Sequence, residues 1–580
     1  MLTKLFLKNF KRFENAEIEL DKAVVFIGPN NSGKTTALQS LALWDAGLRS
    51  WLAKRGGKAS PEKRPGVAIN RRDIISVPVP VANLLWHDLH TRNVRKEGGK
   101  NITNNIRIEV LVEGITADTP WSCGFEFDYS NEESFVCRPC RLPEYRDSQV
   151  SKAKFSTIPP HAEATKVAYL PPMSGLADRE HLKQPGEIDF LIGQGRTAEV
   201  LRNLCHRVYD GGNGKGPWSQ LVKQMRDLFG IGLLEPVYVA ERGEITMQYE
   251  QEQLRLDLSS AGRGLQQTLL LLAHLYANPK TVLLLDEPDA HLEILRQRQI
   301  YQLLSDVADS QGSQIIAASH SEVVLNEAAS KGKVIAFVGS PHTMNDRGGQ
   351  VTKSLTEIGW DLYYRAEERG WILFLEGPTD LEILRTFAMR LDHPAAEHLQ
   401  SPFVHYVSTN LPSNARSVFF GLREAKPDLV GIAIFDRLEK SLQSEKGLTE
   451  LMWARRELEN YLCSEDALMA YAFSGEEWNL FTAPHVERRR EAMRAAIDEM
   501  SSALAALDKP SPWSSDIKAT DDFLDPLFKS YFRKLKLPID FRKADYHQLA
   551  RFVAREHIDP EIAQKLDAIC DTASKAKPRK

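Results

Sequence analysis

The chain has 580 residues, a formal net charge of −4, 42% hydrophobic residues and 26% charged residues. That is the composition of an ordinary globular protein with room for about three or four structural units. The charge does not mark a nucleic-acid binder, though it leaves room for a local basic patch, and no apolar run approaches the roughly 20 residues that span a bilayer.

The first ten residues alternate like a strand and lack a signal-peptide cleavage pattern. Six scattered cysteines suit a reducing cytosol, so a cytoplasmic location without membrane attachment is expected. Cys137-Arg-Pro-Cys140 has half of a zinc-site spacing, with no second pair at a matching interval. Strands are expected at Leu2–Phe10, Ala16–Leu20 and Ala23–Ile27. The last runs into Gly28-Pro-Asn-Asn-Ser-Gly-Lys-Thr-Thr36, and a helical pattern follows from Ala37. Strand, glycine loop and helix in that order make a P-loop. The glycines let several backbone N–H groups point at one phosphate, and the helix start adds partial positive charge. The nucleotide-binding set is then Asn30, Asn31, Ser32, Gly33, Lys34, Thr35 and Thr36. Lys34 reaches the β- and γ-phosphates, and the Thr35 hydroxyl ligates Mg²⁺.

From Arg49 to Arg72 the chain is basic, with Lys54, Arg55, Lys58, Lys63, Arg64, Arg71 and Arg72 against Glu62. This reads as a solvated loop or as a phosphate-contacting surface. Ile106–Gly114 and Cys123–Tyr129 alternate like antiparallel strands, and Lys166–Leu170 is a further strand. A helical tract at about 198–208 and 218–229, within an insert of about 185–230, carries apolar residues at helical spacing on one face. Leu258–Gln267 opens a strong helix with serine and glycine at its start, a second anion-facing terminus. The apolar run from Thr281 ends in Asp286 and Glu287 and fits a buried parallel strand. Asp286 is placed to bind Mg²⁺ through water, and Glu287 to orient or deprotonate the attacking water. The strand Gln314–Ser319 ends at His320, where an imidazole can sense a γ-phosphate.

A second α/β pattern follows a polar link near Arg365–Arg369. Trp371–Leu375 leads to Glu376-Gly-Pro-Thr-Asp380 and a helix over 381–391. Phe403–Val407 is a strand, Ala415–Ala425 a helix, and Leu429–Phe435 a strand ending at Asp436. This order puts Glu376 and Asp436 at the C-terminal ends of parallel strands, where α/β sheets bind ligands. Carboxylates gathered there repel unless a cation sits between them, and oxygen-only ligands favour Mg²⁺ or Mn²⁺.

The Walker A at Gly28–Thr35, signature-like Ser259–Gly264, Walker B at Leu283–Glu287, the Asp289 turn and His320 resemble ABC-type ATPase heads. The N-terminal Leu-Phe-Leu-Lys-Asn-Phe-Lys-Arg-Phe resembles the RecF, SMC and OLD group. The second half resembles a Toprim domain, and a head followed by Toprim resembles the OLD (overcoming lysogenization defect) family of ATP-dependent nucleases. Further OLD-like stretches are Arg455–Leu462 and Phe541–Leu549. The resemblance implies an α/β chain: an ATPase domain over 1–365 with a helical dimerisation insert, then a Rossmann-like Toprim nuclease domain with C-terminal helices over 366–580. It implies ATP with Mg²⁺, and Mg²⁺ or Mn²⁺ at the Toprim site. It makes Ser260 and Gly262 contacts to a partner subunit's nucleotide, and hence a homodimer or higher oligomer. It makes Glu376, Asp380, Asp436 and Glu459 metal ligands, and Lys543 a cation near the scissile phosphate. The implied activity is ATP-gated cutting of nucleic acid, DNA before RNA, in antiphage defence beside a helicase or a retron reverse transcriptase with its DNA. Ala261 and Arg263 depart from the usual signature. Asp436-Arg-Leu-Glu439 lacks the second Asp of Asp-x-Asp, with Glu439 as its substitute. A RecF-like DNA clamp with an inert Toprim fold and a nuclease acting on transfer RNA remain as alternatives.

Overall fold

The computed structural model describes residues 1–56, 66–74, 76–97, 100–141, 156–211, 216–344, 354–355, 358–407, 410–439, 442, 446–473, 483–539 and 541–579. They fall into two compact units, Met1–Thr352 and Lys353–Lys580, a division ahead of the boundary expected at 365. Among the described residues no helix is long and apolar enough to cross a membrane.

The first unit is built on two six-stranded sheets. One runs Phe13–Glu19, Leu2–Phe10, Ile108–Thr116, Thr119–Asn131, Ser134–Pro139 and Val67–Asn70, antiparallel throughout. Its strands bury one face: Leu5 and Leu7 point inward, while Leu2 keeps the same side across a register shift between Leu2 and Lys4. The other sheet runs Val167–Leu170, Val282–Asp286, Gln314–Ala318, Ala23–Ile27, Lys333–Ala336 and His342–Thr343. All its pairings are parallel except the last. Every residue of Val282–Asp286 and Gln314–Ala318 is buried, which is why both read as continuous apolar runs. The helix Lys34–Arg55 packs against both sheets and buries residues around most of its circumference, with Trp44 and Trp51 fully enclosed. One hydrophobic cluster spans both sheets and this helix.

Gln314 joins the two sheets. Its Oε1 accepts from the Leu2 amide at 2.7 Å, and its Nε2 donates to the carbonyls of Leu2 at 2.8 Å and Asp21 at 2.7 Å.

The helical insert differs from expectation in one respect. The helices Leu201–Asp210 and Gly216–Phe229 do carry apolar faces, but Leu204, Cys205, Val208, Trp218, Leu221 and Met225 are buried. Both helices pack on Arg263–Ala277, so the face expected to serve a dimer contact is covered within the chain. The basic stretch is also largely committed. Arg49 donates to the carbonyls of Glu163 and Thr165, Lys54 to that of Ala68, Arg55 to that of Gly66, and Arg71 to Val79 and Glu133. Arg72 stays exposed; Lys58, Glu62, Lys63 and Arg64 lie outside the described residues. Cys137 and Cys140 are buried free thiols, and burial pushes Cys137 up to about 12.

The second unit holds a four-stranded, fully parallel sheet in the order Val404–Tyr406, Trp371–Leu375, Val430–Phe435, Leu448–Met452. The helices Pro378–Arg390 and Pro412–Ala425 lie between successive strands. The fourth strand was not expected. Its Leu-Thr-Glu-Leu-Met sequence carries an acid at the centre, and Glu450 is tolerated there because Arg416 grips both its oxygens at 2.6 and 2.5 Å. The C-terminal helices Glu465–Phe473, Ala483–Ala506, Asp525–Leu535 and Pro560–Ser574 contribute to the same hydrophobic cluster.

Gln314→Ala leaves the buried Leu2 amide and two carbonyls without partners. Unfolding of the first unit in urea should show a loss of about 2–4 kcal/mol; a change below about 0.5 kcal/mol would show that the two sheets hold together without this side chain.

Candidate nucleotide and metal sites

The P-loop follows the central strand Ala23–Ile27, and its backbone explains its glycines. Gly28 has φ +147° and Gly33 φ +107°. A Cβ on Gly28 would sit 2.6 Å from the Phe337 carbonyl, and one on Gly33 would sit 2.6 Å from the Phe13 ring. Neither position admits a larger residue. Lys34 is buried, and its Nζ donates to the carbonyls of Gly28 at 2.8 Å and Pro29 at 3.0 Å. Burial pulls this ammonium down to about 8, against the charges of Glu287, Asp286 and Asp289.

Asp286 ends the neighbouring strand. One carboxylate oxygen accepts from the Thr35 hydroxyl and the other from the Tyr169 hydroxyl, each at 3.1 Å. Burial raises Asp286 to about 6. Thr35 and Asp286, the two residues expected to share Mg²⁺, are thus already in contact. Glu287 adopts a left-handed backbone, φ +49°, anchored by its amide on the Ala318 carbonyl at 2.9 Å. Its Oε1 lies 3.7 Å from Nε2 of His320. Burial, then the charge of Lys34, lowers the His320 pKa.

The signature-like segment begins at Asp257, whose Oδ1 accepts from the Ser259 amide and hydroxyl at 2.9 and 2.7 Å. Ser259, Ser260, Gly262 and Arg263 are exposed at the start of the helix Arg263–Ala277, while Gln266 ties the segment back through the carbonyls of Leu258 and Ala261. A Cβ on Gly264 would lie 3.2 Å from the His291 carbonyl, so the signature helix adjoins the turn after the Walker B. Just beyond that turn Ile294 and Leu295 are 70% and 85% exposed.

Tyr169, Gln39 and Lys11 were missed in the sequence. Lys11 donates to Gln39 Oε1 at 2.6 Å, and Gln39 lies beside Tyr169, whose hydroxyl donates to Asp286. Only the strand order, with Val167–Leu170 beside Val282–Asp286, makes this chain of contacts legible.

In the second unit Glu376 follows the strand Trp371–Leu375, and Asp436 follows Val430–Phe435, its neighbour in the sheet. Asp380, in the first turn of the helix Pro378–Arg390, turns back so that its Oδ2 accepts from the amides of Glu376 at 3.0 Å and Gly377 at 3.2 Å. Asp436 Oδ1 accepts from the Leu458 amide at 3.1 Å, at the start of the 3₁₀ turn Leu458–Tyr461. That turn carries Glu459, which is 4% exposed. Arg455 does not pair with Glu459. Its guanidinium goes to the Asn460 carbonyl and Asp559.

Burial raises Asp436 to about 8, and Glu459, Glu376, Asp380 and Glu457 add to the rise. Glu459 rises to about 7 through burial, then Asp380, and Asp380 to about 6 through burial, with Glu376 adding. Lys543 is exposed at the start of the 3₁₀ segment Lys543–Arg551, which packs along the helix Pro378–Arg390. Phe541 and Tyr546 anchor it on either side in the aromatic cluster of Tyr471 and Phe528. Burial works against its charge, but Glu459, Glu457, Glu376 and Asp380 together raise its pKa. Glu439 is exposed. Glu457, which the sequence reading passed over, is the acid beside Asp436 and Glu459; its Oε2 accepts from the Thr520 amide at 3.0 Å. Among the described residues no three acidic, histidine or cysteine side chains are gathered tightly enough to hold an ion as they stand. The donor set nevertheless suits a hard cation. Asp380 and Asp436 each spend one oxygen on backbone amides and leave the other, and Mg²⁺ takes one or two carboxylates while keeping several waters.

Comparisons with known proteins bear on the first unit. Residues 1–46 match the family model described as "AAA ATPase domain", and residues 98–326 match "AAA domain, putative AbiEii toxin, Type IV TA system". The first unit carries an AAA-type ATPase domain. No curated protein matches the chain by sequence. Among solved structures, an SMC head bound to the C-winged helix domain of ScpA is 14% identical, covering 60% of this chain and 98% of that one, with a TM-score of 0.35. The SMC head domain from Thermotoga maritima is 16% identical over 60% and 99%, with a TM-score of 0.30. An Smc head with an extended coiled coil, bound to the C-terminal domain of ScpA derived from Pyrococcus furiosus, is 13% identical over 62% and 99%, with a TM-score of 0.34.

The raised carboxylates set a pH dependence. Folded values of about 6 to 8 for Asp380, Glu459 and Asp436 stand above the roughly 4 of an unfolded carboxylate. The metal-free fold therefore binds more protons than the unfolded chain in that window, and its stability falls as pH rises through it. In EDTA the thermal midpoint of the second unit should drop from pH 5 to pH 8. Mg²⁺ or Mn²⁺ should raise it more at pH 8 than at pH 5, because a cation displaces those protons. Asp436→Asn should flatten both trends; equal slopes in wild type and variant would mean that these carboxylates are solvated.

Proposed function

We propose that this chain is an ATP-gated, metal-dependent nuclease of the OLD type, with its ATPase in the first unit and a Toprim-like cutting site in the second. What carries the reading is the gathering of Glu376, Asp380, Asp436 and Glu459 at the C-terminal ends of a parallel sheet, in mutual electrostatic range and with Lys543 in their field. Acids placed against one another with their solvent partly removed are unfavourable without a cation, and such perturbed groups concentrate at functional sites. Glu376, Asp380, Asp436 and Glu459 would hold the cation, Asp380 also fixing the turn between Glu376 and its helix through its other oxygen. A divalent ion bound there would supply Lewis acidity at a phosphodiester. The Lys543 ammonium, exposed beside the acids, would face the charge that develops on the scissile phosphate.

In the ATPase unit, Lys34 would exchange the Gly28 and Pro29 carbonyls for the β- and γ-phosphates. Thr35 and Asp286 would share Mg²⁺, Glu287 would orient the attacking water, and His320 would report the γ-phosphate through Glu287. Ser260 and Gly262, exposed at a helix start, would meet the nucleotide of a second copy. The exposed Ile294 and Leu295 supply the apolar contact for that pairing. The OLD resemblance extends the reading to antiphage defence with a helicase or retron partner, and the AAA model matched over 98–326 takes its description from a toxin–antitoxin system.

One observation favours a second reading, a RecF-like clamp with an inert second unit: Glu439, the substitute for the missing aspartate, is exposed and does not figure among the charges that raise Asp436. Nicking of plasmid DNA and cutting of single-stranded DNA and transfer RNA, with Mg²⁺ or Mn²⁺ and with or without ATP, separates the two. Glu376→Ala and Asp436→Ala should abolish cutting while ATP binding persists, and Lys543→Ala should slow it by about 100-fold. Lys34→Ala should lose ATP binding, and Glu287→Gln should retain ATP but hydrolyse it slowly. Cutting by Glu376→Ala at the wild-type rate would remove the nuclease reading and leave the clamp.

A further inference from the structure

At the end of the parallel sheet opposite the P-loop lies a concavity of about 280 Å³. It sits where the strands Val167–Leu170, Val282–Asp286 and Gln314–Ala318 begin, beside the edge of the antiparallel sheet at Thr116. Its lining includes Lys22, His161, Lys166 and Lys280 with Thr116 and Ser313, and among the described residues no carboxylate lines it. Lys22, Lys166 and Lys280 are exposed. Among the described residues no ion pair engages Lys166 or Lys280, whereas Lys22 meets Asp309 at 3.0 Å with both side chains more than half exposed. Such a pair is weak and exchanges readily for another anion.

The concavity has a firm frame. The Val282 amide donates to the Lys166 carbonyl, the Gln314 amide to Thr281, and the Ile315 amide to Lys22, so the chain at Lys166 and Lys22, and next to Lys280, is held by sheet hydrogen bonds. Gln314 fixes the neighbouring edge through Leu2 and Asp21. Like charges held together on a fixed frame, with Asp309 engaging only the exposed Lys22, raise the local potential and attract an anion. The volume is close to the lower end of small-ligand pockets, room for a phosphate with its sugar. Five-residue strand Val282–Asp286 separates this wall from the Walker B acid by about 13 Å, so the concavity is not part of the ATP site.

We propose that this concavity is an anchoring site for the sugar–phosphate backbone of nucleic acid on the ATPase unit, with Lys166 and Lys280 as its principal phosphate contacts. It rests on the reading that the chain acts on nucleic acid and adds where the ATPase unit grips it. The grip reads phosphate and carries no base specificity. Because it touches the beginnings of strands whose other ends carry Asp286 and His320, nucleic acid and ATP contact the same sheet from opposite ends.

The test uses the full chain in EDTA, so that nothing is cut. Binding of fluorescent duplex and single-stranded DNA and of RNA is followed by anisotropy across a salt series, for wild type and for Lys166→Gln/Lys280→Gln. The double variant should bind about tenfold more weakly. Its salt slope should shrink by about 0.9 per lost contact on duplex and about 0.7 on single strands, while its ATP turnover stays unchanged. In parallel, amine-reactive labelling of wild type read by mass spectrometry should show Lys166 and Lys280 protected by nucleic acid and not by ATP. This measurement does not depend on how the variant folds. Wild-type binding with an unaltered salt slope in the variant and unprotected lysines would overturn the site alone. Protection by inorganic phosphate or ATP without protection by nucleic acid would overturn the assignment of its ligand. Absence of nucleic-acid binding by wild type under all conditions would overturn both this site and the nuclease reading beneath it.

Discussion

Four carboxylates within one another's field, Glu459 buried and Glu376, Asp380 and Asp436 half-buried, set the terms for the second unit. Removing a single ionised carboxylate from solvent already carries a penalty of several kcal/mol, and neighbours of the same sign add to it. The fold keeps Asp436, Glu459, Glu376 and Asp380 together in spite of that. Asp380 is stitched to two amides, Asp436 to a third, and Glu459 is carried on a turn that Arg455 fixes from outside. The aromatic cluster of Tyr471, Phe528, Phe541 and Tyr546 then fixes the segment that brings Lys543 into range. Strand order, helix starts and C-terminal helices all serve to place acids where they would otherwise repel.

The ATPase unit meets the same constraint with neutral partners. Asp286 is buried at a strand end too, but hydroxyls from Thr35 and Tyr169 occupy its two oxygens. The Lys34 ammonium donates to loop carbonyls. Glu287 is held in a left-handed conformation that costs a non-glycine residue on the order of 1 kcal/mol or more and that aims its carboxylate toward His320.

Much of this was legible in the sequence. The P-loop, the apolar runs ending in Asp286 and Glu376, and the alternation in Leu2–Phe10 follow from period and punctuation alone. What escaped was whatever depends on neighbours distant in the chain. Tyr169 looks like one more strand residue until the sheet order sets it beside Asp286. Glu450 makes Leu448–Met452 look unlike a strand, because the arginine that neutralises it lies thirty-four residues earlier. Glu457 is hidden by the more obvious Glu459. The insert helices were read correctly as amphipathic, but amphipathicity does not say which surface covers the apolar face, and here it is the helix Arg263–Ala277.

Manganese binding observed by electron paramagnetic resonance, in Lys34→Ala protein without nucleotide, isolates the second unit's acids from the ATP site. If these carboxylates form a cation site, Mn²⁺ should bind at pH 8, bind more weakly as pH falls through the range where Asp436 and Glu459 take up protons, and lose its site in Asp436→Asn. Free Mn²⁺ throughout the titration, or equal binding by the Asp436→Asn protein, would contradict it.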